Sequence, residues 1–98
     1  MPQQMNSVQM SVHIMVHGLV TGVFFRDFVK KTADILELKG WVRNTEQGTI
    51  EIFAEGKRGR LEELIDKCKQ EPPFAQVEKV NFKWSGAINQ FKDFEIKY

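Results

Sequence analysis

The sequence predicts an α+β fold in which two helices lie on one face of a mainly antiparallel sheet. Five segments have apolar residues alternating with polar ones, the pattern of half-buried strands. Two other segments carry apolar residues at helical spacing, one after the first strand and one after the third. The order strand, helix, strand, strand, helix, strand, plus a closing strand, is the ferredoxin-like, split βαβ arrangement.

The first half of the chain supplies a strand, a helix and a hairpin. From Val8 to Val16 the even positions are apolar, which predicts a strand with one covered and one open face. Helical spacing between about residues 23 and 38 predicts the first helix, and Gly40 is expected to end it. Residues 41–44 and 49–54 then read as two short strands, and a glycine in the turn between them favours a hairpin.

The second half supplies the other helix and two strands. The stripe of the second helix consists of Leu61, Leu64, Ile65 and Cys68, so Cys68 is predicted to be a buried packing residue. The basic run 56–60 is expected to be a solvated turn into this helix, and Pro72 and Pro73 to end it. The last two strands are predicted by alternation of Val80, Phe82 and Trp84, and of Phe94, Ile96 and Tyr98.

Composition narrows the classes of function. Fourteen Lys plus Arg against thirteen Asp plus Glu leave a net charge of +1, which gives no general reason to expect nucleic acid or an acidic membrane as partner. The single cysteine excludes an intrachain disulfide framework and a paired-cysteine metal site. No signal-peptide pattern or membrane-spanning segment is evident, so a cytoplasmic protein is expected. Residues 1–7 read as a polar, flexible extension, and residues 8–98 as one domain.

The loop between the first strand and the first helix is a candidate anion site. Gly18 and Gly22 allow backbone N–H groups to point into a common concavity, and a helix N-terminus favours phosphate or carboxylate. Arg26 follows one turn later, where a cation is disfavoured by about 0.3–1 kcal/mol unless an anion lies nearby. The alternative is an ordinary glycine-containing turn followed by a solvated arginine, and the spacing alone does not exclude it.

Two segments together resemble the acylphosphatase family. The family's first signature is matched by Val16, Gly18, Val20, Gly22, Val23, Phe25 and Arg26. Its second is matched by Gly40, Trp41, Val42, Arg43, Asn44, Gly48 and Gly56. The ending from Phe94 to Tyr98 is also similar, so the resemblance covers the chain after residue 7.

The resemblance implies hydrolysis of acyl phosphates to a carboxylate and inorganic phosphate, with no metal or other cofactor. Arg26 would bind the phosphate and Asn44 would orient the attacking water. The expected phosphate-binding positions are Gly18, Leu19, Val20, Thr21, Gly22, Val23 and Arg26. Phosphoryl transfer requires mainly positioning and charge stabilisation, which such residues supply. The only partners expected are the acyl phosphate and inorganic phosphate, with no nucleic acid, no membrane and a monomeric state; the carboxylate of Tyr98 is a candidate partner for Arg26.

Some features leave alternatives open. Thr21 stands where the family has glutamine, so a catalytically weak anion-binding module on the same fold is the rival hypothesis. Asn44 just before a hairpin turn is also ordinary turn chemistry. An RNA-binding sheet is a weaker rival, because only Phe53 is a candidate stacking residue on the open face. His13 and His17 share that face and are interpreted as surface residues rather than as metal ligands.

Overall fold

The structure, a computed structural model, describes residues 7–22, 24–70 and 75–98. Along the chain the elements are β1 (Gln9–Leu19), α1 (Phe25–Ile35), β2 (Lys39–Asn44), β3 (Ile50–Lys57), α2 (Arg58–Gln70), β4 (Gln76–Gly86) and β5 (Phe94–Lys97). This is the predicted order of helices and strands. Val23 and the proposed stop at Pro72 and Pro73 lie outside the described residues, as does most of the expected N-terminal extension.

The five strands form one sheet in the order β4-β1-β3-β2-β5. Neighbouring strands are antiparallel except for β2 and β5, which run parallel. Both helices pack on the same face, which confirms the predicted fold class. The β2–β3 connection is the predicted hairpin: the Thr45 N–H donates to the Thr49 carbonyl at 2.9 Å, and Gly48 takes a positive φ of 82°.

The core lies between the helices and the even-numbered face of β1. Val12, Ile14 and Val16 have no exposed surface, as their alternation with polar residues requires. The helices contribute Phe25, Val29, Ala33, Leu61, Leu64, Ile65 and Cys68. Burying one such large apolar side chain contributes about 1.5–3 kcal/mol, so these residues hold the helices on the sheet.

Helix α1 ends earlier than the sequence suggested, and Gly40 does not end it. Glu37 adopts a left-handed φ of 58°, its N–H donates to the Asp34 carbonyl, and the Leu38 N–H donates to the Ala33 carbonyl. These two bonds form a Schellman motif, which satisfies carbonyls at the helix end without a glycine. Gly40 lies instead in β2, where an added Cβ would sit 1.9 Å from the carbonyl oxygen of Phe53 on β3.

The basic run 56–60 is not the solvated turn that the sequence suggested. Strand β3 continues to Lys57, and α2 begins at the next residue. Gly56 is buried, and a Cβ there would lie 2.5 Å from a methyl carbon of Leu38. Arg58 places its guanidinium over the Trp84 ring at 4.4 Å, so packing between elements determines this segment.

The sheet face opposite the helices is partly covered rather than fully open. The carboxylate of Glu55, a residue only 6% exposed, accepts backbone N–H bonds from Ile88 at 2.7 Å and Asn89 at 2.9 Å. Phe91, two residues further on, packs its ring 5.5 Å from that of Phe53, which itself stacks on Trp41. The connection between β4 and β5 therefore folds back over one end of this face.

Candidate active site

Strand register brings the ends of β1 and β2 to the same edge of the sheet. Val16 of β1 lies opposite Ile50 of β3, and Ile50 lies opposite Asn44, the last residue of β2. Strand β5 runs parallel beside β2 and places Ile96 opposite Val42. The loop that leaves β1, the end of β2 and the end of β5 therefore meet where helix α1 begins.

A cavity of about 220 Å³ lies at this meeting point. Its lining comes from Val20, Gly22, Phe24, Phe25, Arg26, Asp27, Asn44, Ile96 and Tyr98. Four of the predicted site residues are among them: Val20, Gly22, Arg26 and Asn44. The structure thus gathers the proposed phosphate-binding arginine and the proposed water-orienting asparagine, 18 positions apart in the sequence, around one space.

Three of the predicted phosphate-binding positions, Gly18, Leu19 and Thr21, do not line the cavity. Gly18 lies within β1, next to an irregularity in its pairing with β4. At a φ of 130°, its added Cβ would come within 2.0 Å of the Gln76 carbonyl oxygen. Gly18 therefore permits the close approach of two strands rather than a second tight turn. Leu19 and Thr21 are exposed outside the lining, and Val23 falls outside the described residues.

The start of α1 has an unusual backbone. Gly22 has a φ of 74°, and Phe24, the N-cap residue, has a φ of 63° and makes no side-chain cap hydrogen bond. A left-handed conformation costs a residue with a side chain roughly 1–2 kcal/mol. Because Phe24 offers no side-chain acceptor, the first N–H groups of the helix remain available to an anion in the cavity.

Arg26 faces the cavity from the first turn of α1. No ion pair of the described residues includes it. Its guanidinium carbon lies 4.9 Å from the centre of the Tyr98 ring, within the range of a cation–π contact. The structure therefore shows a ring contact with Tyr98 in place of the carboxylate contact that the sequence suggested. The hydrogen-bonding capacity of the guanidinium remains available to an oxyanion.

Asn44 contributes an unpaired acceptor. Its side-chain oxygen Oδ1 is buried and has no hydrogen-bond partner among the described residues. Leaving such a group unsatisfied costs about 1–3 kcal/mol. Ordinary turn chemistry would have paired it with the hairpin backbone. Instead, the side chain of Thr45 bonds to the hairpin: its Oγ1 accepts from the Thr49 N–H at 3.2 Å and lies 2.6 Å from Thr49 Oγ1.

The sequence interpretation missed part of the cavity lining. Asp27 could have been recognised in the sequence as a residue of the first helical turn, because an acidic residue there interacts favourably with the helix dipole. Phe24 gave no periodic signal, since its side chain is exposed. Ile96 was predicted only as a strand residue. Its place beside the cavity depends on parallel pairing between β2 and β5, which local spacing does not reveal.

The two histidines lie on the other face of the sheet. His13 Nε2 is 2.6 Å from Oε2 of Glu51, and the other carboxylate oxygen of Glu51, Oε1, accepts from Arg43 Nε at 2.6 Å. Burial alone would raise the pKa of Glu51, but the bonds from His13 and Arg43 outweigh it and leave that pKa below its ordinary value. His17 Nε2 is 3.4 Å from the Asn81 amide nitrogen. Within the described residues, no group of three or more His, Cys, Asp and Glu is placed to hold a metal ion.

Cys68 is confirmed as a packing residue. It is fully buried on α2, and burial raises the pKa of its thiol to about 12. Neither helix of the described ranges has the length and apolar character needed to cross a bilayer.

Fold and cavity together define a small α+β domain that joins an arginine at a helix start to an asparagine at a strand end. The family model for acylphosphatases matches residues 12–96. An acylphosphatase of Pelotomaculum thermopropionicum is 38% identical over 88% of this chain and 94% of its own length. One from Syntrophotalea carbinolica is 41% identical, with 89% and 95% covered. The crystal structure of Bacillus subtilis acylphosphatase has a TM-score of 0.87 and 36% identity, and the match covers 91% of this chain and 99% of that one.

The chain belongs to the acylphosphatase family. It is a hydrolase of the class that acts on small acyl phosphates. This confirms the family and the reaction class expected from the two sequence signatures.

Proposed function

We propose that this chain hydrolyses acyl phosphates in the cavity at the start of α1, with Arg26 binding the phosphate and Asn44 orienting the attacking water. The observation that carries the proposal is the convergence on one cavity of Arg26 and Asn44: among the described residues, Arg26 has no ion pair and Asn44 Oδ1 has no hydrogen-bond partner. In the protein alone, a cation in the first turn of a helix is disfavoured, and an unsatisfied buried oxygen costs free energy. A bound phosphate and a water molecule would provide their missing partners.

The phosphate is bound by charge and by backbone donors. The planar guanidinium of Arg26 can donate two parallel bonds to phosphate oxygens. The loop through Gly22 and the uncapped first turn of α1 add backbone N–H groups, which carry the partial positive charge of a helix start. These groups stabilise the charge that accumulates on the phosphoryl oxygens as the bond to the leaving group breaks.

Asn44 acts on the nucleophile. The water oxygen forms a bond to phosphorus while the bond between phosphorus and the acyl oxygen breaks, and that oxygen leaves as part of a carboxylate. The water proton passes to the phosphate. Because a carboxylate is a good leaving group, no strong general base is required. An amide that positions the water contributes by orientation, the effect for which a rigid strand end is suited.

The rival hypothesis of a catalytically weak anion-binding module rests on Thr21. The structure places Thr21 outside the cavity lining, with an exposed side chain. The departure from the family glutamine at this position therefore leaves Arg26, Asn44 and Gly22 in place, which supports turnover.

We also propose that the protein works as a monomer in the cytoplasm, without nucleic acid or membrane partners. The net charge of +1 and the single buried cysteine support this setting. Analytical ultracentrifugation at several protein concentrations tests the monomeric state; a concentration-dependent dimer would contradict it.

The test of the mechanism is loss of benzoyl phosphate in the presence of a chelator. Arg26→Ala and Asn44→Ala should each lower kcat by about 10²-fold or more, because each removes a group that acts on the transition state. Matched controls are Arg43→Ala, a surface arginine paired with Glu51, and Asn81→Ala, an exposed asparagine on the opposite face.

Both controls should retain activity close to that of the unmodified protein. Melting temperatures separate chemistry from folding, and Asn44→Ala should not lower stability, since Oδ1 has no partner to lose. Equal activity in Arg26→Ala, Asn44→Ala and the unmodified chain would refute the assignment of roles.

A further inference from the structure

Phe24 combines an exposed aromatic side chain with a disfavoured backbone. It is 79% exposed and holds a φ of 63° at the N-cap of α1, where it makes no cap hydrogen bond. Glycine, asparagine or aspartate would adopt this conformation at lower cost. Folding therefore gives no reason for a phenylalanine at this position. Strained residues that stability does not explain are concentrated at functional sites.

The surroundings of Phe24 indicate what it contacts. It lines the same cavity as Arg26, two positions along the chain, so a group attached to a phosphate at Arg26 lies within reach of its ring. Four other apolar side chains line that cavity: Val20, Phe25, Ile96 and Tyr98. Tyr98 is itself 97% exposed, and its ring contacts the Arg26 guanidinium. The cavity thus has a polar part, formed by Arg26 and Asn44, and an apolar wall.

We propose that Phe24 is a specificity-determining residue that binds the acyl group of the substrate, and that it favours aromatic or bulky apolar acyl groups over acetyl. The inference rests on the proposed function, because it places the phosphate at Arg26. The acyl carbon is joined to the phosphate by one oxygen atom, so the acyl substituent must leave the phosphate site over the cavity wall. An aromatic acyl group gains apolar contact with the Phe24 ring, whereas a methyl group gains little.

The experiment compares kcat/KM for benzoyl phosphate and acetyl phosphate in Phe24→Asn. Asparagine tolerates the left-handed backbone, so this variant removes the ring at little folding cost. Any bond from its side chain to the first N–H groups of α1 would weaken binding of the phosphate that both substrates share, so it would not change their ratio. The ratio of the two kcat/KM values should fall about tenfold, the discrimination that a small apolar contact supplies. Phe24→Tyr keeps the ring and should preserve the ratio.

The matched control is Ile35→Asn. Ile35 lies on the same helix and is 80% exposed, but it does not line this cavity. In Ile35→Asn, the ratio of kcat/KM for benzoyl phosphate to that for acetyl phosphate should equal the ratio in the unmodified protein. An unchanged ratio in Phe24→Asn, with both substrates hydrolysed, would overturn the inference and leave the proposed function standing. If the unmodified protein hydrolyses neither benzoyl phosphate nor acetyl phosphate, the proposed function is overturned, and the inference with it.

Discussion

The two glycines of the first loop should respond very differently to the same substitution. In Gly18→Ala the new Cβ would sit 2.0 Å from the Gln76 carbonyl oxygen and 2.9 Å from the Glu78 nitrogen, where ordinary contact begins at 3.4 Å. Both neighbours are backbone, so β1 and β4 must separate or their pairing must break. In Gly22→Ala the Cβ would meet no atom within 4 Å, and only the φ of 74° is unfavourable.

The magnitudes follow from these distances. Backbone strain of about 1–2 kcal/mol applies to Gly22→Ala. Gly18→Ala adds to the same backbone strain an overpacking cost of about 1–3 kcal/mol, for a total of about 2–5 kcal/mol. In a domain of this size 1 kcal/mol shifts the melting temperature by roughly 4–8 °C. We therefore expect Gly18→Ala to melt about 10–40 °C below the unmodified protein and Gly22→Ala about 5–15 °C below it.

The stability of both variants is measured by thermal unfolding monitored by circular dichroism and by urea titration at 25 °C. An unchanged urea slope would show that the change is in stability rather than in the extent of unfolding. If Gly18→Ala is as stable as Gly22→Ala, the close approach of β1 and β4 does not explain the glycine at position 18.

Three further outcomes can be measured. Because the pKa of Glu51 is lowered in the folded protein, its carboxylate stabilises the fold above its ordinary pKa, and this contribution is lost as pH falls through the folded value. The variant Glu51→Gln removes the carboxylate that accepts from His13 and Arg43. Urea titrations from pH 7 to pH 3 should therefore show that its free energy of unfolding is below that of the unmodified protein at neutral pH, and that the difference narrows in acid. A difference independent of pH would contradict this. Asp27→Asn removes a negative charge from the cavity and should tighten inorganic phosphate binding a few-fold by calorimetry, with the gain shrinking in high salt. The thiol of Cys68, with its pKa raised to about 12, should react with a thiol reagent at pH 8 only after unfolding, and rapid reaction of the native protein would show that it is accessible.

Local spacing was sufficient for the order of the elements and for the buried faces of β1 and α2, whereas Phe82 and Tyr98 of the last two alternating segments are exposed. The alternation in β1 and the stripe of α2 each predicted residues that are buried in the structure, among them Val12, Ile14, Leu61 and Cys68. Such patterns repeat within a few residues, so they need no knowledge of partners. Boundaries were less predictable. Gly40 resembles a helix-ending glycine, yet α1 ends at Ile35, and Glu37 takes the left-handed position that follows the helix. The glycine at position 40 is needed instead where β2 approaches β3.

On the sheet face opposite the helices, local spacing did not predict which side chains contact one another. Phe53 was identified there from alternation alone, but its ring partners Trp41 and Phe91 come from other elements. Glu55 is buried because a connection distant in sequence supplies two backbone N–H donors. A charged residue in an alternating strand gives no sign that it will be covered.

By itself the sequence determined the order of the elements, the buried faces of β1 and α2 and, through two signatures, the family and reaction class. Each of these depends on residue types at short, fixed separations. Only the tertiary structure decided which side chains share the cavity. Arg26 and Asn44 meet because the β1–β3–β2 register places the end of β2 beside the loop from β1, and Ile96 joins them through parallel pairing. Strand register is set by contacts between segments far apart in the chain, and so a site built across three strand ends appears only when the sheet is assembled.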